Sequence, residues 1–197
     1  NRSSWDSNVI KVTTRIKKVE SIDPAFIDQM WIRTPGQQGT GVKIIDDNGE
    51  GLWSVHMSGM IQKPEVGVHL RAEGESSWVN SCYFTGIIRG NKTAILMDAD
   101  PADRPVNAHK FDVTFQPSGS AGKTDWVWDM QRGDRNKIRA TIWDKQHIRD
   151  QTVWRIGENA EMDNVLIDDM GGYNWDDHVV DNKFGGRAPN GASGNRS

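Results

Sequence analysis

Asparagine residues recur at a nearly constant interval in the middle of this chain, and that interval limits what the chain can fold into. Asn80, Asn107, Asn136 and Asn164 are separated by 27, 29 and 28 residues. After the first three asparagines, every second position is mostly small or apolar, and the positions between are mainly polar. Such alternation is typical of a strand with one buried face. The interval and the strand phase agree, so the sequence predicts a repeated strand unit.

A second strand segment precedes each asparagine, and polar residues lie between the two. The repeating unit is therefore strand, polar turn, asparagine, strand and loop, with one earlier turn predicted between residues 41 and 61. A single unit cannot bury its apolar face, but the next unit stacked on it closes that face. Each asparagine either bonds the neighbouring coil from a corner or serves only as a residue that favours turns.

The units resemble those of right-handed parallel β-helix proteins, the architecture of viral tailspikes and fibres and of pectate-lyase-like enzymes. The resemblance covers about residues 41 to 170 and rests on the pattern of the units. It implies an all-β solenoid. An antiparallel β-sandwich of lectin or glycosidase type also gives many short strands and is the alternative fold.

Three regions are expected along the chain. Residues 1–40 are predicted to form an N-terminal cap, with strands in residues 9–22 and a short helix that starts at Asp23 with Pro24 in its first turn. Residues 41–184 form the β-helix domain. Residues 185–197 are rich in glycine and polar residues, which predicts a flexible tail or an arm that orders against a neighbouring subunit. The start at Asn1, without a signal-peptide pattern, fits a processed product or a fragment.

Composition argues against several classes of partner. The 197 residues carry a net charge of −3, which gives no basic footprint for nucleic acid. No stretch approaches the ~18 apolar residues needed to cross a membrane. The single cysteine, Cys82, rules out an internal disulfide framework and is expected to be a buried, unreactive thiol.

The search for catalytic residues gives candidates but no constellation. The resemblance to pectate-lyase-like enzymes implies aspartate clusters for calcium, and Asp98 and Asp129 lie at matching points of neighbouring units. Two stacked carboxylates can act as acid and base or hold calcium. Turn aspartates that bond backbone amides are the simpler interpretation. With no triad, CxxC, HExxH or phosphate loop in the sequence, we predict no catalytic residue, no metal site and no cofactor.

Tryptophans are the candidates for a binding surface. Those on the predicted strands, together with one arginine, form the predicted subunit interface or glycan-binding set: Trp126, Trp128, Trp143, Trp154 and Arg139. Exposed aromatic patches commonly mark binding surfaces, whereas inward rings would fill the coil. Trp143 is expected to face outward, because Ala140 and Ile142 take the inward phase.

Two functional classes stay open. The first is a structural or adhesive protein of a virion surface or the extracellular space, such as a spike, turret or tail-fibre module. It would assemble as a homotrimer, contact other virion proteins and bind host-surface polysaccharide. The second is a polysaccharide lyase or glycoside hydrolase of the β-helix type. The short chain and the missing catalytic constellation favour the first class, and the enzyme assignment stays undecided.

Overall fold

Parallel strand pairing defines the architecture of this protein. The computed structural model describes residues 10–13, 25–34, 36–47, 49–117, 124–143, 147, 152–168 and 174–177. In these residues the chain is nearly all β, and it forms a solenoid of about four turns. Each strand pairing there is parallel. The predicted β-helix is confirmed, and an antiparallel sandwich is inconsistent with this pairing.

Two flanks and a narrow corner sheet make up each turn. The first flank contains β1 (Ile10–Thr13), β3 (Thr40–Asp46), β6 (Val66–Glu73), β9 (Thr93–Asp100) and the start of β12 (Trp126–Ile142). The second flank contains β2 (Ala25–Arg33), β5 (Val55–Gln62), β8 (Tyr83–Arg89), β11 (Lys110–Gln116) and the end of β12. The corner sheet contains β4 (Leu52–Trp53), β7 (Val79–Asn80) and β10 (Val106–Asn107). Finally, β13 (Thr152–Asp168) pairs with β12, and β14 (Asn174–Asp177) pairs with β13.

The core consists of columns of side chains that stack from one turn to the next. On the second flank, Met57, Phe84, Phe111 and Ile138 lie opposite one another in register and are buried. The asparagine interval predicts Ala140 in the column of Phe84 and Phe111, because each of the three lies four residues after its asparagine. In the structure, Ala140 lies opposite Val113. The prediction was wrong by two residues because it aligned Asn136 with Asn107, whereas Phe111 is followed in its column 27 residues later by Ile138.

The first flank contributes a second column of buried side chains to the same core. Val68, Ile95 and Trp128 are in register, and none of the three is exposed. The step from Val68 to Ile95 is 27 residues, whereas the step from Ile95 to Trp128 is 33. Extra residues are therefore accommodated in the connection before β12, and the register of the buried side chains is kept.

The solenoid begins earlier in the chain than the sequence predicted. Ala25–Arg33 is a strand paired in parallel with β5, so the predicted helix that would start at Asp23 is wrong. Along this strand Met30 and Ile32 are buried while Trp31 is exposed, which is the alternation of a half-buried strand. The free edge of β5 and the apolar core below it outweigh the local helix-start signal. Asp23, Pro24 and the predicted tail 185–197 lie outside the described residues.

Close backbone approach on the second flank requires glycine at one position. Gly86 has φ of 144°, a conformation that L side chains rarely adopt, and it lies opposite Gly59. A β-carbon added at Gly86 would lie 1.9 Å from the carbonyl oxygen of Gly59. The rungs that contain Gly59 and Gly86 are therefore this close only because Gly86 has no side chain.

We expect Gly86→Ala to lower the free energy of unfolding by about 3 kcal/mol or more, because the new methyl group strikes backbone and the φ angle becomes strained. Urea denaturation followed by circular dichroism measures this change. Gly36→Ala is the matched control, since a β-carbon at Gly36 meets nothing within 4 Å. Equal stability of the two variants would contradict the assigned register.

Candidate functional site

The corner of each turn bends at one residue with left-handed backbone. Ser54, Ser81, Ala108 and Arg135 have φ of 60°, 55°, 59° and 53° and follow one another at intervals of 27 residues. Such a conformation is uncommon for residues other than glycine. Its recurrence at each turn shows that the corner has the same geometry throughout this part of the solenoid.

The four predicted corner asparagines occupy different positions around this bend. Asn80 and Asn107 lie in register, one residue before the left-handed position. Asn136 directly follows the left-handed Arg135. It occupies the same position around the coil as His109 does one turn earlier. Asn164 pairs with Lys137. The prediction that all four are equivalent is therefore wrong for Asn136 and Asn164, and Asp134 takes the place equivalent to Asn107.

Side chains on both sides of the bend form cross-turn hydrogen bonds. The Asn80 side-chain oxygen accepts a bond of 3.2 Å from the Asn107 backbone N–H, and Asn107 accepts one of 3.2 Å from Asp134. On the other side, Cys82 N–H donates to His109 Nδ1 at 3.1 Å, and His109 N–H donates to Asn136 Oδ1 at 3.0 Å. Buried backbone donors need partners, and these side chains supply them where the corner interrupts the strand ladder.

Burial controls the chemistry of this corner. Burial lowers the pKa of His109 to about 3, although a backbone contact with Val79 acts in the opposite direction. Burial also raises the pKa of the Cys82 thiol to about 12, so that thiol stays protonated. The predicted buried cysteine is confirmed. Both groups are neutral at physiological pH and serve the packing of the corner.

An ionic cluster occupies the outer face of the first flank. His69 Nε2 lies 2.9 Å from Asp98 Oδ1, and Arg71 Nη1 donates to Asp98 Oδ2 at 2.9 Å. Arg71 also pairs with Glu73 at 3.1 Å and with Asp100 at 3.5 Å. His69, Arg71 and Glu73 lie on β6, whereas Asp98 and Asp100 lie one turn later on β9. Parallel pairing of β6 with β9 brings the two groups together.

The cluster keeps Asp98 ionised. Burial raises the pKa of Asp98, but the hydrogen bond and charge of His69 together with the charge of Arg71 outweigh it, so that the pKa lies below the usual value. Burial likewise opposes the charge of Arg71, but Asp98 and Glu73 more than compensate and raise its pKa. An ionised Asp98 cannot donate a proton, but it can hold the His69 ring in one orientation.

The predicted pairing of Asp98 with Asp129 is not formed as an acid–base pair. Asp129 lies opposite Leu96, two residues before Asp98 on the same strand. Its side chain accepts a hydrogen bond from Gln131, and its other oxygen lies 3.6 Å from Arg155 Nη1. Asp98 therefore pairs with Arg71 and Asp129 with Arg155. The two aspartates lie on adjacent strands but are offset by two residues.

The second flank carries most of the exposed apolar surface. Among the described residues, the large hydrophobic side chains that are exposed are Phe26 (70%), Trp31 (73%), Trp53 (45%) and Trp143 (52%). Three of them lie on the second flank, and Trp53 lies on the corner sheet. Phe26 and Trp31 were not among the predicted binding residues, because the sequence pattern of their segment favoured a helix in the cap.

The predicted tryptophan set is divided between interior and surface. Trp128 is buried, and Trp126 is half-buried with the guanidinium carbon of Arg155 5.7 Å from its ring centre. Trp143 is exposed at the end of the second flank, and the exposed Arg139 lies opposite Asp112. Trp154 pairs with Trp128 through the backbone, and its side chain is outside the described part of the chain. Of the four members of this set whose side chains are described, Trp143 and Arg139 are therefore the exposed ones, and both lie on the second flank.

Comparisons with known proteins found no matching family model, no matching curated protein and no matching solved structure. Within the described ranges, no group of three or more histidine, cysteine, aspartate and glutamate side chains is placed to hold a metal ion. The same part of the chain contains no helix of the length and apolar character required to cross a membrane. The side chains on the outer faces of the two flanks are therefore the basis for the functional proposal.

His109 gives a pH-dependent stability that can be measured. Its folded-state pKa of about 3 lies below the ordinary value of 6.5, so the unfolded chain binds a proton first as pH falls. Stability is therefore fully present above pH 6.5 and is lost as pH decreases towards 3. Between pH 6 and 4, the free energy of unfolding should fall about 1.4 kcal/mol per pH unit more steeply in the native protein than in His109→Asn. Equal slopes in urea titrations would contradict this assignment.

Proposed function

We propose that this protein is a structural and adhesive module of a virion surface or other extracellular appendage, which works as a homotrimer and contacts surface glycans. The observation that carries the proposal is the concentration of exposed Phe26, Trp31 and Trp143 on one flank of the solenoid. Exposed aromatic groups gathered on one face mark an interaction surface. A stack of parallel coils holds that surface on a rigid, extended support.

The last rungs of this flank suit a contact between subunits. Trp143, Arg139 and Asp112 lie on its last rungs, where an aromatic side chain is flanked by charges of both signs. Interfaces between subunits are typically built this way, with an aromatic centre and a polar rim. A slender solenoid also has much surface for its core, so association along a flank adds burial that one chain lacks. We therefore place the subunit contact at these rungs and expect other virion proteins to join the same assembly.

Trp143→Ala should weaken the assembly, because it removes an exposed anchor and leaves the buried columns untouched. We expect the variant to lose trimer mass at micromolar concentration and to show a lower, more concentration-dependent Tm. Native mass spectrometry and differential scanning calorimetry measure the two effects. Trp31→Ala, on the first rung of the same flank, is the matched control and should leave the mass unchanged. A native protein that is monomeric throughout this range would refute the trimer.

A polysaccharide lyase or hydrolase is the second candidate function, and the His69–Asp98 pair favours it. The ionised Asp98 accepts a hydrogen bond from His69 Nε2, which leaves Nδ1 of the neutral ring as the atom able to take a proton from a substrate. The side chains of His69 and Asp98 are 12% and 22% exposed, so a substrate could reach them only at the surface of the flank. The ring has its orienting carboxylate, but a proton donor for a leaving group is not apparent among the described neighbours.

We expect no cleavage of acidic polysaccharides, because both Asp98 and Asp129 are engaged by cations. Reducing-end release from polygalacturonate and chondroitin sulfate measures this. Cleavage that is abolished by Asp98→Asn, Asp129→Asn or His69→Gln, but kept in Lys43→Gln on the same flank, would establish the enzyme instead. Lys43 lies opposite His69 in register and so controls for a change of charge at this surface.

A further inference from the structure

An apolar strip crosses the first three rungs of the second flank. Trp31, Met60 and Ile87 lie opposite one another in register on β2, β5 and β8. Trp31 is 73% exposed, while Met60 and Ile87 are partly exposed. The strip therefore offers a flat hydrophobic surface that runs along the axis of the solenoid.

Two exposed arginines line one side of this strip. Arg33, Gln62 and Arg89 form the next outward column, two residues further along the same strands. Both arginines are exposed, and neither forms an ion pair with another described residue. They are two rungs apart, which corresponds to about 9.6 Å at a strand spacing of ~4.8 Å.

An aromatic ladder lies on the other side of the strip, four residues before Met60 and Ile87 on the same strands. The ring centres of Phe26 and His56 are 5.1 Å apart, and those of His56 and Tyr83 are 5.9 Å apart. Lys110 continues this column with its ammonium group 5.0 Å from the centre of the Tyr83 ring. On this side the strip is bordered first by a polar column, in which Thr85 lies opposite Ser58 and Ser58 is hydrogen-bonded to Asp28, and then by the aromatic ladder. The guanidinium groups border the strip on the other side.

The pairing of charged side chains differs between this surface and the first flank. There, Asp98, Glu73 and Asp100 surround Arg71, and the carboxylates are already paired. Arg33 and Arg89, by contrast, are exposed and form no ion pair within the described residues. Exposed guanidinium groups bind carboxylates and sulfates in two-bond geometry. The ligand that complements this surface is anionic and has apolar faces.

We propose that the strip and its borders, from Phe26 to Lys110, bind an acidic polysaccharide. The C–H faces of sugar rings pack on Trp31 and the apolar strip, since the negative face of an aromatic ring attracts their partial positive charge. Carboxylate or sulfate groups two sugars apart along the chain reach Arg33 and Arg89. The inference rests on the proposed adhesive function and specifies its ligand.

Two other occupants fit the surface less well. A second copy of this chain would have to offer free carboxylates, and those of its first flank are bound to Arg71, His69 and Arg155. Nucleic acid requires a continuous basic track for its closely spaced phosphates, whereas this chain has a net charge of −3. Both occupants become outcomes of the test.

Biolayer interferometry with immobilised polygalacturonate, chondroitin sulfate and neutral dextran tests the proposal on the native protein. We expect binding to at least one acidic polymer, none to dextran, and weaker binding as salt increases. Trp31→Ala should weaken binding about tenfold, as expected for loss of an anchor worth ~1.4 kcal/mol. Arg33→Gln combined with Arg89→Gln should weaken it and reduce its dependence on salt.

Matched variants make the result specific. Trp53→Ala removes an exposed tryptophan from the corner sheet, and Lys43→Gln removes a charge from the first flank, so neither should affect binding. Trp31→Ala should keep the native circular dichroism spectrum, because its ring is exposed.

Several outcomes would overturn the proposal. They are equal binding to dextran, equal loss in Trp53→Ala, tighter binding of single-stranded oligonucleotides, or a lower assembly mass in Trp31→Ala. If polysaccharide binding is absent while Trp143→Ala still dissociates the trimer, the ligand assignment fails and the structural function stands. If the native protein is monomeric and binds no glycan, both fail.

Discussion

In-register parallel pairing between successive turns is the constraint on which the rest of this structure depends. Each strand covers the open edge of the one before it, and side chains at the same level meet across the turns. Apolar residues therefore stack on apolar residues, as in the column that contains Phe84 and Phe111. A shift of two residues on one turn would bring Ala140 into that column and leave gaps around it. The register thus fixes the core, the corner and the outer surface together.

The corner shows what this pairing requires of polar residues. A left-handed residue at each turn interrupts the strand ladder, and asparagine and histidine side chains accept the backbone N–H groups next to it. These side chains can accept the hydrogen bonds because they are in register with the N–H groups that donate them. His109 can take a place that Asn136 has one turn later, since both supply an acceptor at the same level.

The outer faces follow the same geometry but differ in chemistry. On the first flank, Asp98 and Arg71 form an ion pair, so each charge is compensated by the other. On the second flank, Arg33 and Arg89 have no such partners among the described residues and lie beside the apolar strip that contains the exposed Trp31. An ion pair that is already formed gives little attraction to a new ligand, because binding would have to replace it. This contrast is why the second flank is the better candidate for contact with other molecules, while the first flank remains the place where His69 could act on a substrate.

The sequence by itself determined the strand repeat, the inward phase of residues such as Phe84 and Phe111, the solenoid class and the outward position of Trp143. These depend on spacing along the chain, which local alternation reveals. The tertiary structure alone decided the register of the third turn, where Asp134 replaces an asparagine and Asn136 takes the level of His109. It also decided that Ala25–Arg33 is a strand, because the open edge of β5 lies far away in sequence. The tertiary structure also decided two outer-face features: the cluster of His69 with Asp98, and the surface between Trp31 and Arg89. Both join residues a turn or more apart, and connections of variable length separate those turns, so only the pairing of the strands shows which side chains meet.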